Sequence, residues 1–176
     1  IPVGAIDQDL GKVTQAYTMA APAVSAATIT PITTLVSTTI RESGGQATHA
    51  EAESAVQKSL GITTPILGYD FKKEGDVKTA KVAEVTAAAI ASATDALKND
   101  ASIKEAQLSS GKIAEKAAEQ VKNAVVPQLV TNGATSETID SAKTIATTVI
   151  TNKVQNIVVE TKSGDGSVVS MGDAFR

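Results

Sequence analysis

Apolar positions in this chain recur mostly at intervals of three and four residues, the spacing of helices that bury one face. The clearest start is Thr30-Pro31, a hydroxyl cap followed by proline at the first helical position. From there Ile32, Leu35, Val36, Thr39 and Ile40 mark a helix that stops at Gly44-Gly45. The β-branched Thr33, Thr34, Thr38 and Thr39 make a strand the competing reading, and the cap and glycine stop favour helix. A second start, Thr48-His49-Ala50-Glu51, is a capping box in which hydroxyl and carboxylate each satisfy a free backbone N–H. It leads into Ala52, Ala55, Val56 and Leu60 and closes at Gly61.

Three long helices are expected over residues 76–162. In the first, over 76–98, Val82, Val85, Ala89, Ile90, Ala93, Ala96 and Leu97 fall within a stripe about 140° wide, with Lys78, Lys81, Glu84 and Asp95 outside it. The second, over 101–126, opens on the capping box Ser102-Ile103-Lys104-Glu105. It buries Ile103, Ala106, Ala114, Ala117, Ala118, Val121 and Val125, with Pro127 near its end and Asn132-Gly133 as the turn. The third starts near Thr135 or Ser136, where Glu137 suits the helix dipole, and runs to about Thr161. Ile139, Ala142, Ala146, Val149, Ile150, Ile157 and Val158 form its apolar side.

The opposite side of that last helix is Thr144, Thr147, Thr148, Thr151, Asn152, Gln155 and Asn156, polar but without charge. Thr and Asn are mediocre helix formers, so using them on a solvent face gives up some stability. A hydroxyl loses less than an ion on burial, because it can bond the carbonyl four residues back. The plain reading is a solvated face made of Thr. The sharper one is an interaction face that docks against a neighbouring domain or a second copy.

Outside these elements, residues 1–29 form a lead-in whose positions 9–21 suit a helix carrying Leu10, Val13, Ala16, Tyr17 and Ala20, interrupted by Gly11. Residues 30–61 hold the short helix pair, 62–75 a loop with Pro65, Gly68 and Gly75, and 163–176 a glycine-bearing flexible or short-strand tail. The whole is one domain over residues 1–176: an all-α, compact bundle of about five to six helices, three of them long.

Composition sharpens this picture. Aromatics are only 2% of the chain and Trp is absent, so Ala, Val and Thr supply the bulk of a core with close helix approach and few large cavities. A net charge of −3 with dispersed Lys lacks the basic stripe that phosphate binding needs, which argues against nucleic acid as a partner. With no cysteine there are no disulfides, thiolate metal sites or Cys nucleophiles. No apolar run reaches the ~20 residues of a membrane span. The chain opens on Ile1 with Asp7 and Asp9 close behind, which reads as a processed or excised product rather than a signal peptide.

Candidate chemistry is sparse. His49 is the only histidine, beside Glu51 and Glu53. It sits at the second position of a capping box, where exposure is the plain expectation, and a His-based metal site would need further ligands. Asp165-Gly166 begins like a calcium loop but lacks the alternating oxygens and closing Glu, so a turn between Val158-Val159 and Val168-Val169 is expected instead. The carboxylate pairs Glu51/Glu53 and Asp7/Asp9 stand two residues apart, which on a helix faces them in different directions. No phosphate-binding glycine motif is present. No catalytic or metal-ligating residue and no cofactor are therefore expected, and cofactor-binding residues are left open.

One stretch, residues 29–62, resembles an all-helical module of large exported or surface-anchored bacterial proteins, including lipoproteins and adhesin-like chains. The resemblance is carried by Ile29-Thr30-Pro31-Ile32-Thr33-Thr34-Leu35-Val36, Gly44-Gly45, Ala50-Glu51-Ala52-Glu53 and Leu60-Gly61-Ile62. It implies export and a surface role and names no ligand. The expected function is a non-enzymatic structural or interaction domain with a protein partner or self-association. The alternative is a helical carrier of a small apolar ligand or pigment, with Tyr17, Tyr69, Met19 or His49 near it. Replacing His49 with Gln should change unfolding free energy by less than about 0.5 kcal/mol, as at ordinary surface positions. A larger loss in urea titration would reveal a buried or liganded imidazole.

Overall fold

Side-chain oxygens that take up free backbone N–H groups set the helix starts. In the computed structural model of the chain, residues 1–7, 11–12, 15–23, 28–131 and 139–174 are described, apart from the side chains of 7, 11, 12, 130, 131 and 162–174. Helix α1 (Pro31–Glu42) begins at Thr30, where Thr30 and Thr33 exchange backbone N–H and hydroxyl reciprocally at 2.8 and 3.1 Å. Its threonines settle the helix-or-strand question. Thr34 and Thr38 are buried, and each donates its hydroxyl to the carbonyl four residues back at 2.9 Å, so the helix itself satisfies them. Helix α2 (His49–Leu60) has the expected Thr48–Glu51 box. Gly61 ends it at φ 65°, where Ile62 N reaches back to Gln57 O at 3.1 Å.

The loop over residues 62–75 is pinned at several points. Ile66 N and Leu67 N both donate to Glu53 Oε1 (2.6 and 3.0 Å), and Gln57 Nε2 donates to Thr64 O at 2.7 Å. Phe71 is buried in the core. The loop delivers the chain to Asp76, which caps α3 (Val77–Asn99) by accepting from Thr79 N.

The second long helix is broken where a single helix over 101–126 is expected. Asp100 Oδ1 accepts from Ser102 N and Ile103 N at 2.9 and 3.1 Å, so the box at Ser102 and Glu105 gives way to an aspartate cap. The resulting α4 (Ala101–Glu105) is short, and Gln107 turns the chain at φ 55°. Ser109 then caps α5 (Ser110–Gln120) by accepting from Lys112 N at 3.1 Å. Ser109, Ser110 and Gly111 are poor interior helix residues, so a restart there costs less than continuity. Beyond α5 a π-helical turn, Val121–Val125, leads into α6 (Val126–Thr131), with Val126 N bonded to Val121 O. Pro127 has no N–H and would crowd the Asn123 carbonyl in a regular helix. The widened turn carries the chain past it, five residues beyond the expected end near 126.

Helix α7 (Ile139–Ala174) is helical in backbone through the region where the pattern expects a tail from Ser163, and the Asp165-Gly166 turn lies within it as helix. No proline interrupts that stretch in the sequence, and its glycines mark the expected stop. The expected starts at Thr135 or Ser136 and the Asn132-Gly133 turn lie outside the described residues.

At the other end, the helix expected over 9–21 gives way to a two-residue antiparallel pair, β1 (Ile6–Asp7) with β2 (Gly11–Lys12), and an irregular strap over residues 15–23. The strap takes its hydrogen bonds from other elements. Thr34 Oγ1 accepts from Ala20 N at 2.9 Å, and Thr33 Oγ1 donates to Ala20 O at 2.8 Å. Gln15 spans two α3 side chains, accepting from Ser92 Oγ and donating to Asp95 Oδ2, both at 3.1 Å.

These elements wrap α3, which packs most extensively on α7 and also meets α1, α4, α5 and the π turn. The expected one-sided stripe on α3 is therefore too narrow. Ala87, Ala88 and Ala91 lie on the opposite side of the helix and are as buried as Val85 and Ile90. From residue 82 to 94 only Glu84 escapes full burial. A helix apolar all round is a central helix. Ionic contacts tie the outer layer together: Arg41 of α1 with Glu119 of α5 (3.6 Å), Lys116 with Glu119 and with Glu160 of α7 (3.2 and 3.8 Å), and Lys122 with Glu42.

Ala88 separates the two descriptions of α3. On a one-sided helix Ala88→Leu would be neutral. Wrapped on all sides, it should overpack and lower the urea midpoint by the equivalent of about 1–3 kcal/mol.

Candidate functional site

Ala142, Ala146, Val149, Ile150, Val154 and Ile157 are buried on α7, and their anchoring on the α3 side sets which way the helix's other face looks. That other face holds Thr144, Thr147, Thr148, Thr151, Asn152, Gln155 and Asn156, and all seven are exposed. At about 100° per residue they spread over half the circumference, with Thr147 and Asn156 at its two edges, and Val159, 61% exposed, lies within that arc. No charged residue falls on the stripe between Thr144 and Val159.

The hydroxyl chemistry is specific. Thr144, Thr147 and Thr151 donate to the carbonyls of Asp140, Lys143 and Thr147 at 3.0, 2.9 and 2.9 Å. Each has thus spent its only proton and turns lone pairs outward. Farther along, Gln155 Nε2 donates to Ser102 Oγ of α4 at 3.3 Å. Asn152 and Asn156 carry primary amides, each with two N–H donors.

Beside the stripe lies an open groove of about 550 Å³, lined by Gln15, Ser92, Lys143, Thr144, Thr147 and Thr148. The strap forms one wall, α7 the other, and Ser92 of α3 the floor. Sequence reasoning missed Gln15 and Ser92 as partners because they are 77 positions apart and nothing local signals that they meet. Gln15 had instead been expected within a helix.

The residues suggested for an apolar ligand are scattered. Tyr17 is buried, Met19 and Tyr69 are half-buried, His49 is exposed on the first turn of α2, and none of them lines the groove. Among the described residues no three His, Cys, Asp or Glu side chains gather into a group able to hold a metal. No helix among them is long and apolar enough to cross a membrane.

Among the described residues, titratable groups with displaced pKa values sit at helix starts or in the loop before α3, away from the groove. Asp76 accepts from the Thr79 hydroxyl (2.6 Å), from Thr79 N (3.0 Å) and from the Tyr69 hydroxyl (3.3 Å). The Thr79 hydroxyl is the largest cause holding this carboxyl below its ordinary value. Loss of hydration, followed by the nearby Asp76 charge, raises the Tyr69 phenol. Backbone and hydroxyl donors of Thr48 lower Glu51. These groups hold loop and helix ends in place. Compared with known protein families, with curated proteins and with solved structures, the chain matches none.

The lowered Asp76 value gives a signed pH effect. A carboxylate depressed by folding contributes stability above the unfolded value near 3.9, and the contribution is lost as pH falls through the folded value. Asp76→Ala should cost about 1 kcal/mol at pH 7 as a lost cap. The gap from the parent should narrow in urea titrations carried progressively below pH 4.

Proposed function

We propose that this chain is a non-enzymatic structural or interaction domain of an exported bacterial surface protein, and that it works through the outer face of α7. The observation that carries the reading is the exposed, charge-free face from Thr144 to Val159, three of whose four threonines donate to their own helix. Desolvating such a face strands no ion and leaves those three hydroxyl protons satisfied, which lowers the usual penalty for covering a polar surface. Val159 adds exposed apolar area in line with it. The resemblance of residues 29–62 to modules of surface-anchored proteins supports the compartment. The absence of a recognisable catalytic motif in the sequence favours binding over chemistry.

The chain has no cysteine, so one introduced thiol reports on one place. Thr148→Cys on the stripe and Ser54→Cys on the exposed side of α2 can be expressed in the source cells and treated with a membrane-impermeant maleimide. The Ser54→Cys protein should label in intact cells. The Thr148→Cys protein should label much more slowly there than as dilute purified protein. Equal rates at Thr148→Cys in both settings would remove the docking reading, and no labelling of Ser54→Cys in intact cells would remove surface exposure.

A further inference from the structure

We propose that the π turn at Val121–Val125 is a register device, holding one residue more than a continuous helix over α5 and α6 would take. On a regular helix each residue turns about 100° from the last. Counted from Ile113, the buried Ala117, Val121 and Ala118 stand at about 40°, 80° and 140°, so the core side of α5 is an arc about 140° wide. Continued without a break, that helix would set Val126 at about 220°, off the arc, and Leu129 at about 160°, past its edge. Gln128 would fall at about 60°, in its middle. The structure has the reverse: Val126 and Leu129 are buried and Gln128 is exposed. The bond from Val126 N to Val121 O spans five residues instead of four, which sets everything beyond it back by one residue, about 100°. Val126, Leu129 and Gln128 then stand at about 120°, 60° and 320°, as their burial requires.

Burial, more than Pro127, is the cause of the turn. Pro127 is exposed and removes one hydrogen bond, whereas the register decides whether two apolar side chains reach the core. The widened turn also meets another element. Lys122 Nζ and Asn123 Nδ2 bond the two carboxylate oxygens of Glu42. Glu42 is the last residue of α1, where the negative end of the helix dipole disfavours a carboxylate. Its placement therefore serves the turn and not its own helix. The one device sets α6 on the core and braces the end of α1.

The full chain lacking the exposed Asn123 and carrying Pro127→Ala tests the register. Deleting a residue inside a packed helix ordinarily turns everything beyond it off the core. This deletion removes the surplus instead, and puts Val125, Val126 and Leu129 at about 20°, 120° and 60° of a regular helix. Its urea midpoint should lie within about 0.5 M of that of Pro127→Ala alone. Scalar couplings across hydrogen bonds should show each N–H over residues 121–131 bonded four residues back. A larger loss of midpoint, or a surviving five-residue bond, would overturn the register device. In Pro127→Ala alone, the Val126 N–H should still couple to the Val121 carbonyl. Coupling to the Lys122 carbonyl would make the proline the cause and overturn the proposal as well. The brace has its own readout in the N–H groups of Ser43 and Gly45, which close α1 on the Thr39 and Ile40 carbonyls. They should exchange with solvent about two-fold faster or more in the deletion form than in Pro127→Ala. Unchanged exchange there would overturn the brace.

Discussion

Everything in this bundle depends on one helix being small enough to be surrounded. Over residues 82–94, α3 turns Ala83, Ala87, Ala88, Ala89, Ala91 and Ala93 to its neighbours, and each is essentially inaccessible. A helix carrying Leu or Phe at these positions would hold its neighbours farther off and leave gaps between them. With alanine, α1, α5 and α7 approach closely, and the irregular strap fills part of the remaining circumference through Gln15. Even the polar positions of α3 conform. Thr94 donates to Ile90 O at 2.7 Å, and Ser92 is answered by Gln15. A core with few aromatics spreads its burial over many small contacts, so no single side chain dominates and added volume is resisted throughout.

A central helix built this way places demands on what surrounds it. Short alanine side chains reach little, so the outer elements need other ties. Thr33 and Thr34 hold the strap through Ala20, and Glu53 holds the loop over 62–75 through two backbone N–H groups. Arg41, Glu42, Lys116, Glu119, Lys122 and Glu160 join α1, α5, the π turn and α7. These partly covered ion pairs keep some contact with water, and each is worth little. The carboxylate and threonine contacts matter more, because they satisfy backbone groups that would otherwise lie unpaired near the core.

The helical architecture was legible where local signals were strong. Thr30-Pro31, Thr48 with Glu51, and Gly61 mark the starts and stop of α1 and α2, and each acts locally in the fold as the spacing implies. What was not legible depends on distant contacts. The strap reads as a helix from its apolar spacing, but its hydrogen bonds go to α1 and α3, which no window of neighbouring residues contains. The break at Gln107 was hidden by competition between two plausible caps, Asp100 and Ser102, and settled by which oxygen reaches the N–H groups. For α3 the periodicity located the side with larger residues. It could not reveal burial of the alanine side, because alanine is compatible with either environment. Of the candidate site, the seven polar residues of the α7 face were readable from their lack of charge, and the groove beside them was not.

The same constraint accounts for the character of that face. Two of the other sides of α7 are committed, one to α3 and one, through Glu160, to the ionic layer around α5. A third edge borders the groove, where Lys143 is the one charged lining residue among the described residues. Apart from Gln155, which bonds Ser102 of α4, the remaining face is exposed, and lysine and glutamate there would have improved helix propensity and solubility. Threonine gives up both. The hydroxyl bonds to the preceding turn leave methyl groups and lone pairs outward and keep the surface even, with no long side chains to order on contact. A stripe that sacrifices local helix stability while lowering the entropy and desolvation costs of contact makes physical sense when it is covered for part of its working life.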